Sequence, residues 1–329
     1  MKILFWGTAE FAVPSLRALD DEGFEVVAVV TQPDRPAGRG QRLTPSAVRI
    51  AATEMGLPIF TPERPRGEEF VSTLRAFEPD VSVVLAYGHI LRPEVLDVPR
   101  RGSINVHASL LPELRGAAPI TWAIARGYEE TGVTIIRMVE AMDAGPILHA
   151  LKERIHPDDT ASGLSSRLAE IGAAALVEAL ALISVGGIEG VEQDHDAATF
   201  APKIDRETAR IDWSLPAEEI GRHVRAMDSV PGAWSMLAGA AVKLFGPTPS
   251  PDPAGAAPAP DPVVNGGPPQ PEGPALPGTV LAAEPGAGVL VAAGVGSVLF
   301  TQAQPAGKRR MSAADWINGR GVEPGQRFE

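Results

Sequence analysis

The chain begins with a strand–helix–strand order. Residues 2–6, KILFW, read as a buried strand turning at Gly7-Thr8, Ala9 to Leu19 reads as a helix, and Phe24 to Thr31 as a second strand. That order implies a parallel sheet with a right-handed crossover. The phasing continues downstream. Residues 45–55 predict a helix, and Pro65 to Phe77 another, with the proline tolerated in its first turn. Val81 to Ala86, Gly132 to Val139 and Ile147 to Ile155 predict further strands, and Thr160 to Leu182 a long Ala/Leu-rich helix stopped by Gly186-Gly187. The expected fold is α/β, with a Rossmann-like parallel-sheet domain over residues 1–188. The first turn is not a dinucleotide site: Gly7-Thr8-Ala9-Glu10-Phe11-Ala12 has one glycine where the fingerprint needs three.

Residues 189–207 have few apolar anchors and read as a linker. Ser214 can cap a helix with Pro216 in its first turn, and Ile220, Val224 and Met227 keep helical spacing on a core face. Short strand-like runs follow at 234–238, 241–246, 278–284, 288–293 and 297–302. They suggest a small OB-like β-barrel over residues 208–329. An insertion at 247–277 holds twelve prolines in 31 positions and no aromatic, and is expected to be disordered. Lys308-Arg309-Arg310 precede Ser312 and Asp315, a capping-box-like helix start.

Composition narrows the function. The net charge of −12 excludes general coating of nucleic acid, so any RNA contact must use local basic patches. The chain has no cysteine, which excludes disulfides and thiolate chemistry and fits a cytoplasmic enzyme. No apolar run approaches ~18–20 residues and the N-terminus reads as a strand, so no membrane partner is expected. The six histidines lack metal-binding spacing, and there is no Gly-x-Ser-x-Gly elbow. No metal is expected, and the chain is expected to be a monomer.

The chemistry concentrates in residues 103–120, SINVHASLLPELRGAAPI. In a strand, Ile104 and Val106 face one way while Asn105 and His107 share the other. A polar pair at a strand end, followed by the apolar wall Ser109-Leu110-Leu111-Pro112, suits a ligand site beyond the carboxyl edge of a sheet. This stretch resembles the signature of the folate-dependent formyltransferases. Met142-Asp143-Ala144-Gly145-Pro146-Ile147 resembles the family segment that supplies a catalytic Asp, and Pro305-Ala306-Gly307-Lys308 is a weaker match. Gln32 to Gly40, QPDRPAGRG, resembles the loop specific to the tRNA-using branch.

The resemblance implies formyl transfer from 10-formyltetrahydrofolate to the α-amino group of the methionine on initiator methionyl-tRNA. Asn105, His107 and Asp143 are then the catalytic trio: Asn105 and His107 as donors to the oxyanion, Asp143 fixing the imidazole and stabilising its charged form. Ser109, Leu110, Leu111 and Pro112, with the loop Tyr87, Gly88, His89 and Ile90, are expected to line the folate pocket. Arg35, Arg39 and Arg42, with Lys203, Lys308 and Arg309, are expected to meet tRNA. Other readings keep the trio with a small-molecule amine as acceptor, or with water in a formyltetrahydrofolate deformylase. A fourth is an RNA-binding protein with a decayed catalytic domain, against which the intact trio argues.

Overall fold

A computed structural model of the chain describes residues 1–37, 42–250 and 275–329. In chain order the first strands are β1 (Lys2–Gly7), β2 (Glu25–Val30), β3 (Arg35–Ala37), β4 (Arg42–Thr44), β5 (Ile59–Phe60), β6 (Val81–Leu85), β7 (Ser103–His107), β8 (Glu130–Arg137) and β9 (Ile147–Arg154). The accompanying helices are α1 (Val13–Asp21), α2 (Ala47–Glu54), α3 (Glu68–Arg75), α4 (Pro93–Leu96), α5 (Pro119–Ala125) and α6 (Ala161–Ser184). The chain divides into two compact units. The first comprises residues 1–120, 129–155 and 163–202; the second comprises 121–128, 156–162 and 203–329.

The first unit is built on a seven-stranded sheet in the order β5-β2-β1-β6-β7-β8-β9. Strands β5, β2, β1, β6 and β7 pair in parallel. Ile3, Leu4, Phe5 and Trp6 of β1 are all fully buried, as a central parallel strand covered on both faces requires. The sheet is the mostly parallel one expected, with one antiparallel element: β8 runs antiparallel to both β7 and β9. For β8 and β9 the reason is the connection 138–146, which is shorter than the dozen or so residues a parallel crossover needs. The helix expected from Pro65 starts only at Glu68, because Gly67, at φ 96°, takes the cap position.

Strand order reverses between β1 and β6, which makes their carboxyl ends the topological switch point. Gly7 stands at that point, and a Cβ there would meet the Phe5 ring at 2.9 Å and the Leu85 carbonyl oxygen at 3.2 Å. Only glycine lets the two strand ends come this close. Residues 189–202, read as linker from sequence, belong to the first unit: Val191 bridges Ile147 and Phe200 bridges Arg115.

The second unit contains α7 (Ala217–Met227), β10 (Trp234–Leu237), β11 (Ala240–Ser250), β12 (Val280–Glu284), β13 (Gly288–Ala292), β14 (Ser297–Pro305), β15 (Met311–Ser312) and α8 (Ala313–Asn318). The antiparallel order is β10-β11-β14-β13-β12, with β15 on β14. The C-terminal residues join the two edges: Phe328 bridges Leu237 beside β10, and Arg327 bridges Thr279 beside β12. The sheet is thereby closed into the small barrel that the short strands suggested. Its core includes Trp213, whose ring meets Phe300 and Phe328 and whose Nε1 donates to Ser235 Oγ at 2.9 Å.

The expected insertion is shorter than its composition indicated. Pro247 to Ser250 continue β11, with Pro247 opposite Phe300 and Ser250 opposite Ser297. Pro247 and Pro249 face the same way, and β10 pairs no further along β11 than Lys243. The unpaired side takes both missing N–H groups, so the ladder to β14 survives. Residues 251–274 of the insertion lie outside the described residues.

Candidate active site

At the end of β7, Ile104 and Val106 are buried in the core, as the alternation implied. Asn105 is half-buried and its Nδ2 donates to the Val84 carbonyl at 3.1 Å, which leaves a second N–H on the same nitrogen. His107 is 6% exposed. Its Nε2 lies 3.0 Å from the Leu114 carbonyl, which can only accept, so Nε2 carries the proton. Its Nδ1 faces Asp143 Oδ2 at 3.7 Å, beyond hydrogen-bond length. The structure therefore sets His107 opposite Asp143, with Asn105 two residues earlier on the same strand, and differs from the expectation in one detail. The imidazole tautomer is fixed by the Leu114 carbonyl rather than by Asp143, and Nδ1 is the nitrogen left to exchange protons.

Leu114 and Asp143 both have left-handed backbones, at φ 58° and 53°. Such a conformation is uncommon outside glycine. Between them Gly116, at φ 120°, donates its N–H to Asp143 Oδ2 at 2.8 Å. A Cβ on Gly116 would lie 2.7 Å from the Ala201 carbonyl oxygen, so the residue must be glycine for the loop to lie against residues 199–201. Sequence reasoning missed this supporting set, which also includes Arg115 and Gln193. Arg115 stood inside the motif, but Gln193 lies in the presumed linker and carried no signal.

The expected folate-lining residues divide. Ser109 is fully buried, its hydroxyl donates to the Glu113 carbonyl at 2.6 Å, and its own carbonyl accepts from Thr134 Oγ1. Thr134 Oγ1 in turn accepts from the Leu111 N–H, so Ser109 and buried Leu111 are both tied to β8. Leu110 and Pro112 are half-buried. Tyr87 is core: its ring meets Trp6 at 5.3 Å between centroids, and burial pushes its phenol well above the usual range. Its carbonyl accepts from Gln32 Nε2 and Thr8 Oγ1, pinning the loop over the switch point. Gly88, His89 and Ile90 form the outer part, and Ile90 is 80% exposed. A cleft of about 370 Å³ beside this loop is lined by Glu63, Arg64, Pro65, Arg66, His89, Ile90 and Arg92.

Among the residues expected to meet tRNA, Arg35 and Arg42 sit on the β3–β4 hairpin, where Arg35 Nη2 donates to Gln32 Oε1. The plain loop expected here is thus a paired arm. Arg39 lies outside the described residues. Lys203, Lys308 and Arg309 are exposed on the second unit. Among the described residues no cluster of side chains could hold a metal, and no helix is long and apolar enough to cross a membrane.

The formyl transferase family profile matches residues 1–180, and the profile of the formyl transferase C-terminal domain matches residues 203–321. The chain belongs to the formyl transferase family. This formyltransferase is 47% identical to the methionyl-tRNA formyltransferase of Halorhodospira halophila, over 99% of this chain and 98% of the relative. It is 45% identical to that of Thiobacillus denitrificans, over 100% and 99%. Its fold matches HypX from Aquifex aeolicus in complex with tetrahydrofolic acid, with a TM-score of 0.62 and 20% identity. The match covers 96% of this formyltransferase and 47% of HypX, so the chain spans about half of that protein.

Proposed function

We infer that the chain transfers the formyl group of 10-formyltetrahydrofolate to the α-amino group of methionine on initiator methionyl-tRNA. One observation carries the reading: His107 Nδ1 and Asp143 Oδ2 face each other at 3.7 Å, with half-buried Asn105 two residues before His107 on β7, in a family whose members act on formyl groups. The match to methionyl-tRNA formyltransferases over nearly their whole length supports the acceptor.

Formyl transfer requires donors for the oxyanion that forms when an amine attacks, and a group that moves a proton from that amine. The free N–H of Asn105 Nδ2 supplies a donor. His107 Nδ1 takes the proton of the attacking amine, because Nε2 is already held as N–H by Leu114. Asp143 stabilises the resulting imidazolium, and Gly116 N–H keeps the carboxylate aimed at it. As an imidazolium, His107 offers Nδ1–H as the second donor before returning the proton to the departing nitrogen.

Leu110, Pro112 and the loop Gly88 to Ile90 supply a partly apolar, partly backbone-polar lining suited to a flat pterin. Arg64, Arg66 and Arg92 in the adjoining cleft suit the carboxylates of the glutamate tail. The arm carrying Arg35, Arg39 and Arg42, and the cations Lys203, Lys308 and Arg309, supply the basic contacts that an acidic chain needs to hold tRNA. The test is folate release from 10-formyltetrahydrofolate with charged initiator tRNA, charged elongator tRNA, a free sugar amine, or water alone. Release only with initiator tRNA is expected; equal release with the sugar amine or with water overturns the reading.

A further inference from the structure

The loop bearing Asp143 is held by side chains outside the trio. Gln193 is 5% exposed and all its amide hydrogen-bonding capacity is used. Its Oε1 accepts from Arg115 Nε at 3.1 Å and from Arg115 Nη2 at 2.6 Å. Its Nε2 donates to the Asp143 carbonyl at 2.8 Å and to the Gly145 carbonyl at 2.7 Å. One amide therefore gathers two carbonyls of the catalytic loop and is itself gripped by a buried guanidinium.

Arg115 is fixed in turn. Its N–H donates to the Thr199 carbonyl and its carbonyl accepts from the Ala201 N–H, while Nη2 also donates to His195 Nδ1 at 3.0 Å. All these side-chain acceptors are neutral, so the guanidinium fork supplies direction rather than charge pairing. The next residue, Gly116, holds the Asp143 carboxylate. The contacts close a ring: Arg115 to Gln193, Gln193 to the Asp143 backbone, Asp143 carboxylate to Gly116, and back to Arg115. Aspartate tolerates the left-handed region better than most residues, but the region alone does not aim its carboxylate. The ring supplies the constraint.

We propose that Gln193 and Arg115 are positioning residues that hold the Asp143 carboxylate opposite His107, an inference that rests on the reading of Asp143 as the charge partner of His107. Neither touches the reacting atoms. Their leverage is geometric, since a displacement of about 1 Å at a reacting group can cost on the order of 10²-fold in rate.

The test compares Gln193→Glu, Gln193→Ala, Arg115→Lys and Asp143→Asn in the full chain. Gln193→Glu keeps an acceptor for Arg115 but loses both donors to the loop. Gln193→Glu and Gln193→Ala are expected to lower kcat by roughly 10–100-fold, leave KM for folate and tRNA within about twofold, and displace the pH profile of kcat. Arg115→Lys, which keeps charge and bulk if Gln193→Ala fails to fold, should show a smaller loss of the same kind. Parental kcat in Gln193→Glu, a loss confined to KM, or a fall in kcat with an unmoved pH profile each overturns the proposal. Asp143→Asn separates the two ideas. If it is inactive while the Gln193 variants are normal, only the positioning role fails; if it turns over normally, the reading of Asp143 fails.

Discussion

Replacing Asn105 by Ala removes two things with different readouts. The first is the donor to the oxyanion. Loss of one such donor typically costs about 10²–10³ in kcat, or about 3–4 kcal/mol of transition-state stabilisation. The second is the bond from Nδ2 to the Val84 carbonyl, 3.1 Å long, between neighbouring parallel strands. Its loss leaves a carbonyl short of a partner in a largely buried strand, worth about 1–3 kcal/mol of stability. Asn105→Ala should therefore show a lowered melting temperature and a turnover loss too large to come from unfolding, with folate and tRNA binding nearly normal. Asn105→Asp should be worse in turnover, because it sets a carboxylate against the Val84 carbonyl and the developing oxyanion. Single-turnover formylation, folate titration by intrinsic fluorescence and thermal melts on both variants make the comparison. Turnover that survives while folate binding collapses would refute the donor role and leave Asn105 a positioning residue.

His107→Ala and Asp143→Ala should be non-additive, the double variant being little worse than the poorer single one, because the carboxylate acts through the imidazole; multiplicative losses in kcat would mean independent roles. Gly116→Ala should lower both stability and kcat, since its Cβ would sit 2.7 Å from the Ala201 oxygen and drag the N–H off Asp143; a crystal of the variant with the Gly116–Asp143 bond intact and normal turnover would disprove this. Arg42→Ala should weaken tRNA binding and flatten the slope of log affinity against log salt by about 1, as a lost phosphate contact does; an unchanged slope means that Arg42 meets no phosphate. His223 on α7 has its imidazole pKa pushed below the ordinary 6.5, chiefly by burial. The unfolded chain then binds that proton first as pH falls, so the stability it contributes is complete above 6.5 and drains away below it. Melting temperatures of the parent and His223→Gln between pH 7 and pH 5 should diverge in slope; parallel lines would show that His223 titrates normally.

The sequence by itself determined the elements that depend on near neighbours. Ile3 to Trp6 read as a buried strand and are one, and the alternation of Ile104 to His107 placed Asn105 and His107 at a strand end. Ser312 and Asp315 marked the start of α8, and the Ser312 hydroxyl does accept the Asp315 N–H there. Gly186, at φ 69°, ends α6 as its type suggested.

The tertiary structure decided what depends on residues distant in the chain. No local pattern distinguishes an antiparallel β8 from a parallel one, because a strand's direction depends on the path of its connections. Pro247 and Pro249 look like disordered sequence until β14 pairs with one side of them only. The tautomer of His107 is fixed by a carbonyl whose residue, Leu114, lies in a left-handed turn with its N–H bonded to Thr199 Oγ1. Gln193 is the clearest case. Its four hydrogen bonds form only when residues 189–202 fold back along residues 143–145, because a buried amide is satisfied only by groups brought to it from elsewhere in the chain.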